Sequence, residues 1–353
     1  MTMKGFLKKV MFLAAMSCAC GAMGCSDDGS ADIPEQAEPT DPVVDTGFAK
    51  GADVSWLTEM ESRGVKFYDK AGNEKECMAL MKELGVNAIR LRVWVDPEAG
   101  WNGKADVLAK AKRADALGMR LMIDFHYSDT WADPARQDKP KAWEGYGLEQ
   151  LKQAVADHTA DVLQALKGAG VDVDWVQVGN ETSGGMLWET GRAYDQVFGN
   201  FVQLINSGYD AVKSVYPEAK VIIHLNNGFD LQMFTWMFNG LRDNGAKYDV
   251  IGMSLYPEAD NWQTLTDQCL RNIDTLSVVY GKDVMLCEIG MPWDAPFAVE
   301  AMTKMMDGCK AAKRCLGIFY WEPECHNGWN GYTKGAFDDS GKPTAVMDTF
   351  GKR

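Results

Sequence analysis

The stretch Gly51-Ala52-Asp53-Val54-Ser55-Trp56 ends the first apolar run of the folded part and helps to decide between two parallel-sheet architectures. A doubly wound sheet that binds nucleotides normally carries a glycine-rich phosphate loop directly after its first strand. Here aspartate, serine and tryptophan follow instead, and no GxGxxG or GxxxxGK motif occurs anywhere in the 353 residues. The stretch therefore favours a closed barrel, and the doubly wound sheet is the structural alternative.

The rest of the folded part repeats one pattern, in which short apolar runs alternate with amphipathic stretches from Gly47 onward. This alternation is typical of parallel βαβ units, and eight such units fit a (β/α)8 barrel. The pairs Leu84-Gly85, Leu117-Gly118 and Ala169-Gly170 precede strands and resemble glycine-capped helix ends. We therefore predict the α/β fold class and one barrel domain over residues 47–353. The predicted strands are Phe48–Val54, Ala88–Trp94, Arg120–His126, Trp175–Asn180, Lys220–Leu225, Val250–Tyr256, Asp283–Glu288 and Gly317–Trp321. Predicted helices include Glu74–Leu84, Lys104–Leu117, Leu148–Lys167, Tyr194–Val215 and Asn261–Tyr280.

Composition and charge narrow the class of protein. Hydrophobic residues make up 46% and charged residues 24%, which excludes a disordered or fibrous chain for the bulk of the sequence. The formal net charge of -14 argues against nucleic-acid binding, which needs a basic face. Six of the nine cysteines lie in the folded part; export would permit disulfides, but the sequence does not select a pairing.

The first 24 residues have the features of a secretory signal peptide, with three lysines before a short apolar run over Val10 to Met16. The stretch Ala22-Met23-Gly24-Cys25 resembles a bacterial lipobox, whose cysteine is diacylated and becomes the mature N-terminus. We predict a lipoprotein signal peptide over residues 1–24 and lipidation at Cys25. The alternatives are lipidation at Cys18 or Cys20, and an ordinary cleaved signal peptide.

Residues 25–46 hold seven acidic residues and three prolines but no lysine or arginine. Such a segment buries too little apolar surface to order itself, so we predict an extended, disordered acidic tether. The acidic residues directly after Cys25 resemble the surface-export signal of some outer-membrane lipoproteins. We therefore expect an exported protein, anchored by its N-terminal lipid to the outer membrane at the cell surface.

The candidate functional residues stand where the predicted strands end. In a (β/α)8 barrel the chemistry collects at the C-terminal ends of the strands. The side chains there include carboxylates, two histidines, an arginine and several aromatics. This set of residue types is typical of an active site that cleaves sugars. In chain order the candidates are Asp53, Arg92, Trp94, His126, Asn180, Glu181, His224, Tyr256, Glu288 and Trp321.

Glu181 and Glu288 are the candidate catalytic pair. Glu181 ends the predicted fourth strand and Glu288 the predicted seventh, so the two can face each other across the barrel centre. Glycoside hydrolysis requires two such carboxyl groups, one as acid/base and one as nucleophile or water activator. The acid needs a raised pKa to stay protonated near neutrality. For either residue alone, a solvated carboxylate at a strand end is the alternative interpretation.

Other strand-end residues fit supporting roles. Trp321 would present an indole on which the apolar face of a sugar ring stacks, with barrel packing as the alternative. Tyr256 is placed to hydrogen-bond the nucleophile and hold it ionised, and Arg92 to do the same by its charge. Asn180 is placed to hydrogen-bond a sugar hydroxyl.

One long block carries a specific resemblance. It reads Asp124-Phe125-His126-Tyr127-Ser128-Asp129-Thr130-Trp131-Ala132-Asp133-Pro134 and continues with Gln137, Pro140 and Ala142-Trp143. This block resembles the third-strand signature of glycoside hydrolase family 53, whose members are endo-β-1,4-galactanases. The resemblance extends from about Gly47 to the C-terminus. Four shorter blocks also match: Leu91-Arg92-Val93-Trp94, Val176-Gln177-Val178-Gly179-Asn180-Glu181, Asp249-Val250-Ile251-Gly252-Met253-Ser254 and Phe319-Tyr320-Trp321-Glu322-Pro323.

The resemblance implies a (β/α)8 fold and hydrolysis of internal bonds of β-1,4-galactan, the side chain of type I arabinogalactan in pectin. It implies retention of configuration, with Glu181 as proton donor and Glu288 as nucleophile, and carboxyl groups about 5–5.5 Å apart. It adds Trp131, within the signature block, to the substrate-binding candidates. It implies no organic cofactor; calcium occurs in some relatives, but no carboxylate cluster in this sequence identifies a site for it.

The sequence departs from the family pattern in loops that shape the cleft, including Ile289–Trp293 after Glu288 and Glu258–Trp262 after Tyr256-Pro257. These departures leave the number of subsites and the product length open. We predict an endo-β-1,4-galactanase. The alternatives are a retaining hydrolase of another β-1,4-glycan, such as mannan or glucan, and a surface glycan-binding protein without turnover.

Overall fold

Eight apolar runs of the chain form the strands of a closed barrel in which every neighbouring pair is parallel. The computed structural model describes residues 47–351. The predicted fold class and strands are confirmed, with ends that differ by at most two residues. The strands are β1 (Ala49–Asp53), β2 (Ala88–Val93), β3 (Arg120–Phe125), β4 (Trp175–Val178), β5 (Lys220–Leu225), β6 (Val250–Leu255), β7 (Asp283–Ile289) and β8 (Cys315–Trp321).

The barrel closes at β1, which pairs with β2 on one side and β8 on the other, so that Asp53 lies opposite both Arg90 and Trp321. Helices follow the strands, as the alternating pattern predicts. They are α1 (Leu57–Ser62), α2 (Cys77–Glu83), α3 (Lys104–Ala116), α4 (Leu148–Gly168), α5 (Gly199–Val215), α6 (Leu231–Asp243), α7 (Trp262–Tyr280), α8 (Ala298–Ala311) and α9 (Asp348–Gly351).

Two helices begin three or more residues later than predicted. Glu74–Lys75 pairs with Phe67–Tyr68 in a small antiparallel hairpin, so α2 starts only at Cys77. The Glu76 carboxylate caps it by accepting a hydrogen bond from the Ala79 amide at 2.6 Å. Helix α5 starts at Gly199 because the residues before it form a turn. The glycines predicted as helix caps, Gly85, Gly118 and Gly170, all have positive φ.

The barrel interior changes from apolar to polar along the strands. Near the N-terminal ends it is filled by Ala49, Ala88, Met122, Trp175, Ile222, Val250, Met285 and Phe319. Gly51 makes room for the Phe319 ring, because a Cβ there would lie 2.1 Å from Phe319 Cδ1. Since side chains on one face of a strand recur every second residue, the next interior positions are polar. Four strands place Arg90, Asp124, Gln177 and His224 there, and all four are buried.

The six cysteines of residues 47–351 are all unpaired and buried. Within this part of the chain, no helix is both long enough and apolar enough to cross a membrane. The predicted signal peptide, the lipidation site at Cys25 and the acidic tether lie outside the described residues.

Candidate active site

A cleft of about 560 Å³ opens where the strands end. Its walls combine carboxylates with aromatic rings, and they come from the ends of seven of the eight strands and from the loops that follow them. The residues that line it are Trp56, Glu59, Trp94, His126, Trp131, Ala132, Asp133, Arg136, Asn180, Glu181, Tyr256, Glu288, Trp321, Asn330, Gly331 and Tyr332.

Arg90 organises the buried charges below the cleft. Its guanidinium contacts Asp53 at 2.6 Å, Asp124 at 2.9 Å and Glu288 at 2.9 Å, and all four side chains are almost fully buried. It also donates to Gln177 Oε1 at 2.7 Å and to Asn180 Oδ1 at 3.0 Å. Buried charges are tolerated when they are paired and hydrogen-bonded, and this set meets both conditions.

Glu288 reaches the cleft through an irregularity in the sheet. Met253 of β6 pairs with Leu286, but Ser254 pairs with Glu288, so Cys287 is skipped in the register. Such a bulge re-aims the following side chain. The Glu288 carboxylate accepts a hydrogen bond from Tyr256 Oη at 2.7 Å in addition to the Arg90 contact.

Glu181 follows a strand that is cut short. Gly179 has a φ of +89° and Glu181 a φ of +45°, so the backbone leaves the strand geometry after Val178. The turn is anchored by the Thr182 amide, which donates to the His224 carbonyl at 2.8 Å. A non-glycine residue at positive φ is strained, and such strain clusters at functional sites. Burial raises the pKa of Glu181 to about 7, against a hydrogen bond from Ser254 that lowers it.

His224 lies behind Ser254 and links it to the buried network. Its Nδ1 lies 2.9 Å from Gln177 Nε2 and 3.0 Å from Asn180 Oδ1, and its Nε2 lies 2.8 Å from Ser254 Oγ. Burial lowers the pKa of His224, which keeps the ring neutral. The Ser254 hydroxyl thus lies between the imidazole and Glu181.

Glu181 and Glu288 are coupled carboxyl groups. Burial raises the pKa of both, and each charge opposes ionisation of the other. Arg90 and the Tyr256 hydroxyl lower the pKa of Glu288, because both stabilise its ionised form. Two interacting carboxyls in one buried site retain a proton between them over a range of pH.

Tryptophan rings form one wall of the cleft around a buried cation. The Arg92 guanidinium lies 4.3 Å from the Trp131 ring centre, 4.9 Å from Trp56 and 5.5 Å from Trp94. These distances are those of cation–π contacts. The rings also touch one another edge to face, with centroids 5.3 Å apart for Trp56 and Trp321. The wall is therefore a packed unit whose exposed edges face the cleft.

Residues 49–350 match the family described as Glycosyl hydrolase family 53, a span that includes the whole barrel and every residue lining the cleft. The chain belongs to glycosyl hydrolase family 53. It is therefore a glycoside hydrolase, as the sequence resemblance predicted.

Similar proteins of this family come from bacteria and fungi. An endo-beta-1,4-galactanase of Bacillus subtilis is 34% identical over 308 residues, covering 78% of this chain and 70% of that protein. An arabinogalactan endo-beta-1,4-galactanase of Thermothelomyces thermophilus is 31% identical over 329 residues, covering 85% and 98%. A solved structure from a study of two fungal beta-1,4-galactanases has a TM-score of 0.80 at 29% identity, covering 87% of this chain and 100% of its own.

Most of the predicted site residues of this family 53 hydrolase line the cleft. Tyr256 donates to Glu288, as the sequence suggested. His126 receives hydrogen bonds at Nδ1 from the Ala132 amide and from Trp94 Nε1, so its proton is on Nε2, toward Asp124. The predicted residues in the cleft wall are Trp94, His126, Trp131, Asn180, Glu181, Tyr256, Glu288 and Trp321.

Three predicted substrate-binding residues do not reach the cleft of the hydrolase. Asp53 and His224 are fully buried, and their polar atoms are used within the charge network. Arg92 is buried behind the tryptophan wall and pairs with Glu322, so it does not hold Glu288 ionised. Arg90, two residues earlier on the same face of β2, has that contact instead. The prediction for these three residues is corrected accordingly: they support cleft residues from below.

The sequence analysis missed several residues of the site. Arg90 shares the strand face of Arg92 and was passed over because it does not end the strand. Trp56 directly follows the quoted first strand, so its position could have indicated it. Asp133 lies in the signature block without having been singled out, and Arg136 lies between the quoted residues Pro134 and Gln137. No local signal marks Tyr332, which enters from the loop after β8.

The described residues do not fit a calcium site at the group most suited to hold a metal. That group comprises Glu322, Glu324 and Cys325, whose ligand atoms lie within 4.8 Å of one another. Calcium takes six to eight oxygen ligands, whereas this group offers a thiol and two carboxylates, one of which is paired with Arg92.

Proposed function

We propose that this hydrolase cleaves internal bonds of β-1,4-galactan, the side chain of type I arabinogalactan in pectin. The observation that carries the proposal is the pair Glu181 and Glu288, a half-buried carboxyl group just after β4 and a buried one near the end of β7, in one aromatic cleft. The substrate rests on the relatives, which bear the names endo-beta-1,4-galactanase and arabinogalactan endo-beta-1,4-galactanase. The open cleft suits a polymer that passes through the site.

In the proposed mechanism, Glu288 attacks the anomeric carbon and Glu181 protonates the departing glycosidic oxygen. A covalent galactosyl-enzyme forms, and the configuration at that carbon is inverted once. Glu181, now ionised, takes a proton from water, which attacks the same carbon and releases Glu288. The second inversion restores the original configuration, so the overall reaction proceeds with retention.

The environments of the two carboxyl groups support this division of roles. Glu288 receives two stabilising contacts, from Arg90 and Tyr256, which favour the ionised nucleophile. Burial raises the pKa of Glu181 to about 7 and that of Glu288 to about 8, but of the two carboxyls only Glu288 pairs with Arg90, and that contact favours its ionised form. The one proton that the pair retains is therefore assigned to Glu181.

The cellular setting is also a proposal. The lipobox-like stretch ending at Cys25 and the acidic segment over residues 25–46 favour export, a lipid anchor in the outer membrane and a tether of about 20 residues to the catalytic domain. Such a tether would let the enzyme reach bulky polysaccharide near the membrane. Galactan and galacto-oligosaccharides are the proposed soluble partners.

The first experiment measures reducing-end release from β-1,4-galactan, with β-mannan and carboxymethylcellulose alongside. We expect release from galactan alone, with intermediate oligosaccharides before small products. Equal or greater release from mannan or carboxymethylcellulose would move the assignment to another β-1,4-glycan. No release by a folded sample, with binding retained, would favour a glycan-binding protein.

The second experiment tests the nucleophile. Glu288→Ala should abolish turnover and leave binding of galacto-oligosaccharides measurable by calorimetry. Glu300→Ala, at an exposed glutamate of α8, is the matched control and should retain activity. A wild-type rate in Glu288→Ala would contradict the assignment.

A further inference from the structure

Behind the tryptophan wall lies a second pair of carboxyl groups, Glu322 and Glu324. Both are fully buried, and their oxygens lie within 4.8 Å of each other. Neither oxygen of Glu324 has a hydrogen-bond donor in the part of the chain that the structure describes. Two carboxylates cannot face each other without a donor between them, so the geometry calls for a shared proton.

Glu322 links this pair to the cleft. One of its oxygens pairs with Arg92 Nη1, and the other accepts the Trp56 amide at 3.2 Å. Its own amide donates to the Asp53 carbonyl at 3.0 Å, and its φ of +47° turns the chain after β8. Glu322 therefore joins the loops after β1 and β8 to the cation at the centre of the tryptophan wall.

The charge balance indicates which carboxyl carries the proton. Arg92 Nε and Nη2 have no hydrogen-bond partner among residues 47–351, so Glu322 is the anion paired with this cation there. A neutral Glu322 would leave Arg92 buried without compensation, which is costly. Glu324 has no cation partner, and burial together with the Glu322 charge raises its pKa well above the usual value. The neutral member of the pair is Glu324.

The other groups around Glu324 agree with a neutral acid. Cys325 Sγ lies 3.9 Å from Met60 Sδ, and the Cys77 thiol on α2 is also within electrostatic reach. Burial raises the pKa of both thiols, so neither adds a charge. Within residues 47–351, the titratable or charged groups that face the pair are Asp53, Cys77, Arg92, Lys110, Cys325 and Tyr332.

We propose that Glu324 is a positioning residue that stays protonated at neutral pH and donates a hydrogen bond to Glu322, which keeps Glu322 on Arg92 and Trp56. By holding Glu322 in contact with Arg92 and Trp56, the proton on Glu324 keeps the tryptophan wall of the cleft in place. Loss of that proton would place two anions beside one guanidinium and weaken the hold on Trp56. The consequence for catalysis rests on the proposed function, whereas the protonation state does not.

Infrared difference spectroscopy on the full-length protein tests the protonation state directly. The wild type minus Glu324→Gln should show the carbonyl stretch of a protonated carboxyl at neutral pH. Glu300→Gln, at an exposed glutamate of α8, is the matched control and should show no such band. A difference spectrum with only carboxylate bands would overturn the proposal.

Thermal unfolding against pH gives a second test. A group whose pKa is raised in the folded state contributes stability at low pH that is lost as pH rises through the folded pKa. The unfolding midpoint of the wild type, relative to that of Glu324→Gln, should therefore fall as the pH rises above about 4.3, the usual pKa of a glutamate in an unfolded chain. Parallel curves would overturn the proposal. So would a wild-type midpoint that drops in a metal chelator while that of Glu324→Gln does not, because the pair would then hold a cation.

Enzyme kinetics distinguish a positioning role of Glu324 from a role in packing alone. Glutamine can still donate to Glu322, whereas leucine fills the space without a donor. Glu324→Leu should raise KM for galactan several-fold, up to about tenfold, with a smaller change in kcat, and Glu324→Gln should restore the wild-type KM. Equal KM values in the two folded variants would overturn the positioning role. If the wild type hydrolyses none of the glycans, the proposed function fails, while the infrared and stability results still decide the protonation state.

Discussion

Arg90 Nη2 lies 2.9 Å from Glu288 Oε1, and the same guanidinium pairs with Asp53 and Asp124. One buried cation thus meets three carboxylates from β1, β3 and β7. The arrangement favours ionised Glu288, which a nucleophile requires. It also makes the stability of the barrel depend on Arg90, the same residue that favours the ionised form of Glu288.

Replacing Arg90 with methionine should destabilise the fold, because it leaves three buried carboxylates without their counter-charge. We expect a loss of about 3–5 kcal/mol in the free energy of unfolding, measured by urea titration. Arg242→Met is the control, since Arg242 is 58% exposed and its ion pair among the described residues is with the exposed Asp243. A loss no larger than that of the control would show that the Arg90 network contributes little.

Glu181→Gln should slow hydrolysis of galactan far more than that of an aryl galactoside with a good leaving group. The polymer needs a proton on the departing oxygen, and general acid catalysis contributes about 10²–10⁴-fold. An activated aryl group leaves without that proton. The measurement compares kcat/KM on the two substrates for wild type and variant, and equal losses on both would argue against the acid role.

The pH profile should have an alkaline limb set by Glu181. Its pKa is raised to about 7, and the acid is active only when protonated, so kcat/KM should fall about tenfold per pH unit well above that value. In Glu181→Gln this limb should disappear from the residual activity on the aryl galactoside. A limb that persists unchanged in the variant would assign it to another group.

Tyr256→Phe should reduce kcat about ten- to hundredfold, because it removes a hydrogen bond at 2.7 Å to a charged oxygen. The lost donor also makes ionisation of Glu288 harder, so the acidic limb of kcat/KM should move to higher pH. Tyr146→Phe, outside the cleft, serves as the control. An unchanged acidic limb would mean that Tyr256 does not act through the ionisation of Glu288.

Cys25→Ala should release the protein from membranes into the soluble fraction of lysed cells, if the predicted lipid is attached there. Fractionation followed by immunoblotting measures the change, and Cys18→Ala and Cys20→Ala are the matched controls. Continued membrane association of Cys25→Ala would direct attention to Cys18, Cys20 or another mode of anchoring.

The positions of Glu181 and Glu288, the proposed catalytic pair, were predictable because their signals are local. Glu181 and Glu288 each close an apolar run, and the barrel pattern brings such run ends to one face. The contact between Arg90 and Glu288 was not predictable. Arg90 lies on the same face of β2 as Arg92 and differs from it only in its position along the strand. Which of the two meets Glu288 depends on the register of strands that are distant in sequence, including the skipped Cys287.

The aromatic wall also contains both residues that the sequence predicts and residues that it does not. Trp94 and Trp131 could be proposed from their motifs, whereas Tyr332 enters the site from a loop with no periodic pattern. Its position follows from packing, since its ring centre lies 4.7 Å from that of Trp321.

The sequence by itself determined the closed barrel of alternating strands and helices, the family and the two glutamates. It could do so because hydrophobic periodicity, glycine-capped helix ends and strand-end residues are properties of neighbouring positions in the chain. Tertiary structure decided that Arg90 rather than Arg92 serves Glu288, that His224 acts through Ser254, and that Glu322 faces Glu324 behind the cleft. These are relationships between buried charges on separate strands, and their energies depend on distances and burial that exist only after the barrel has closed.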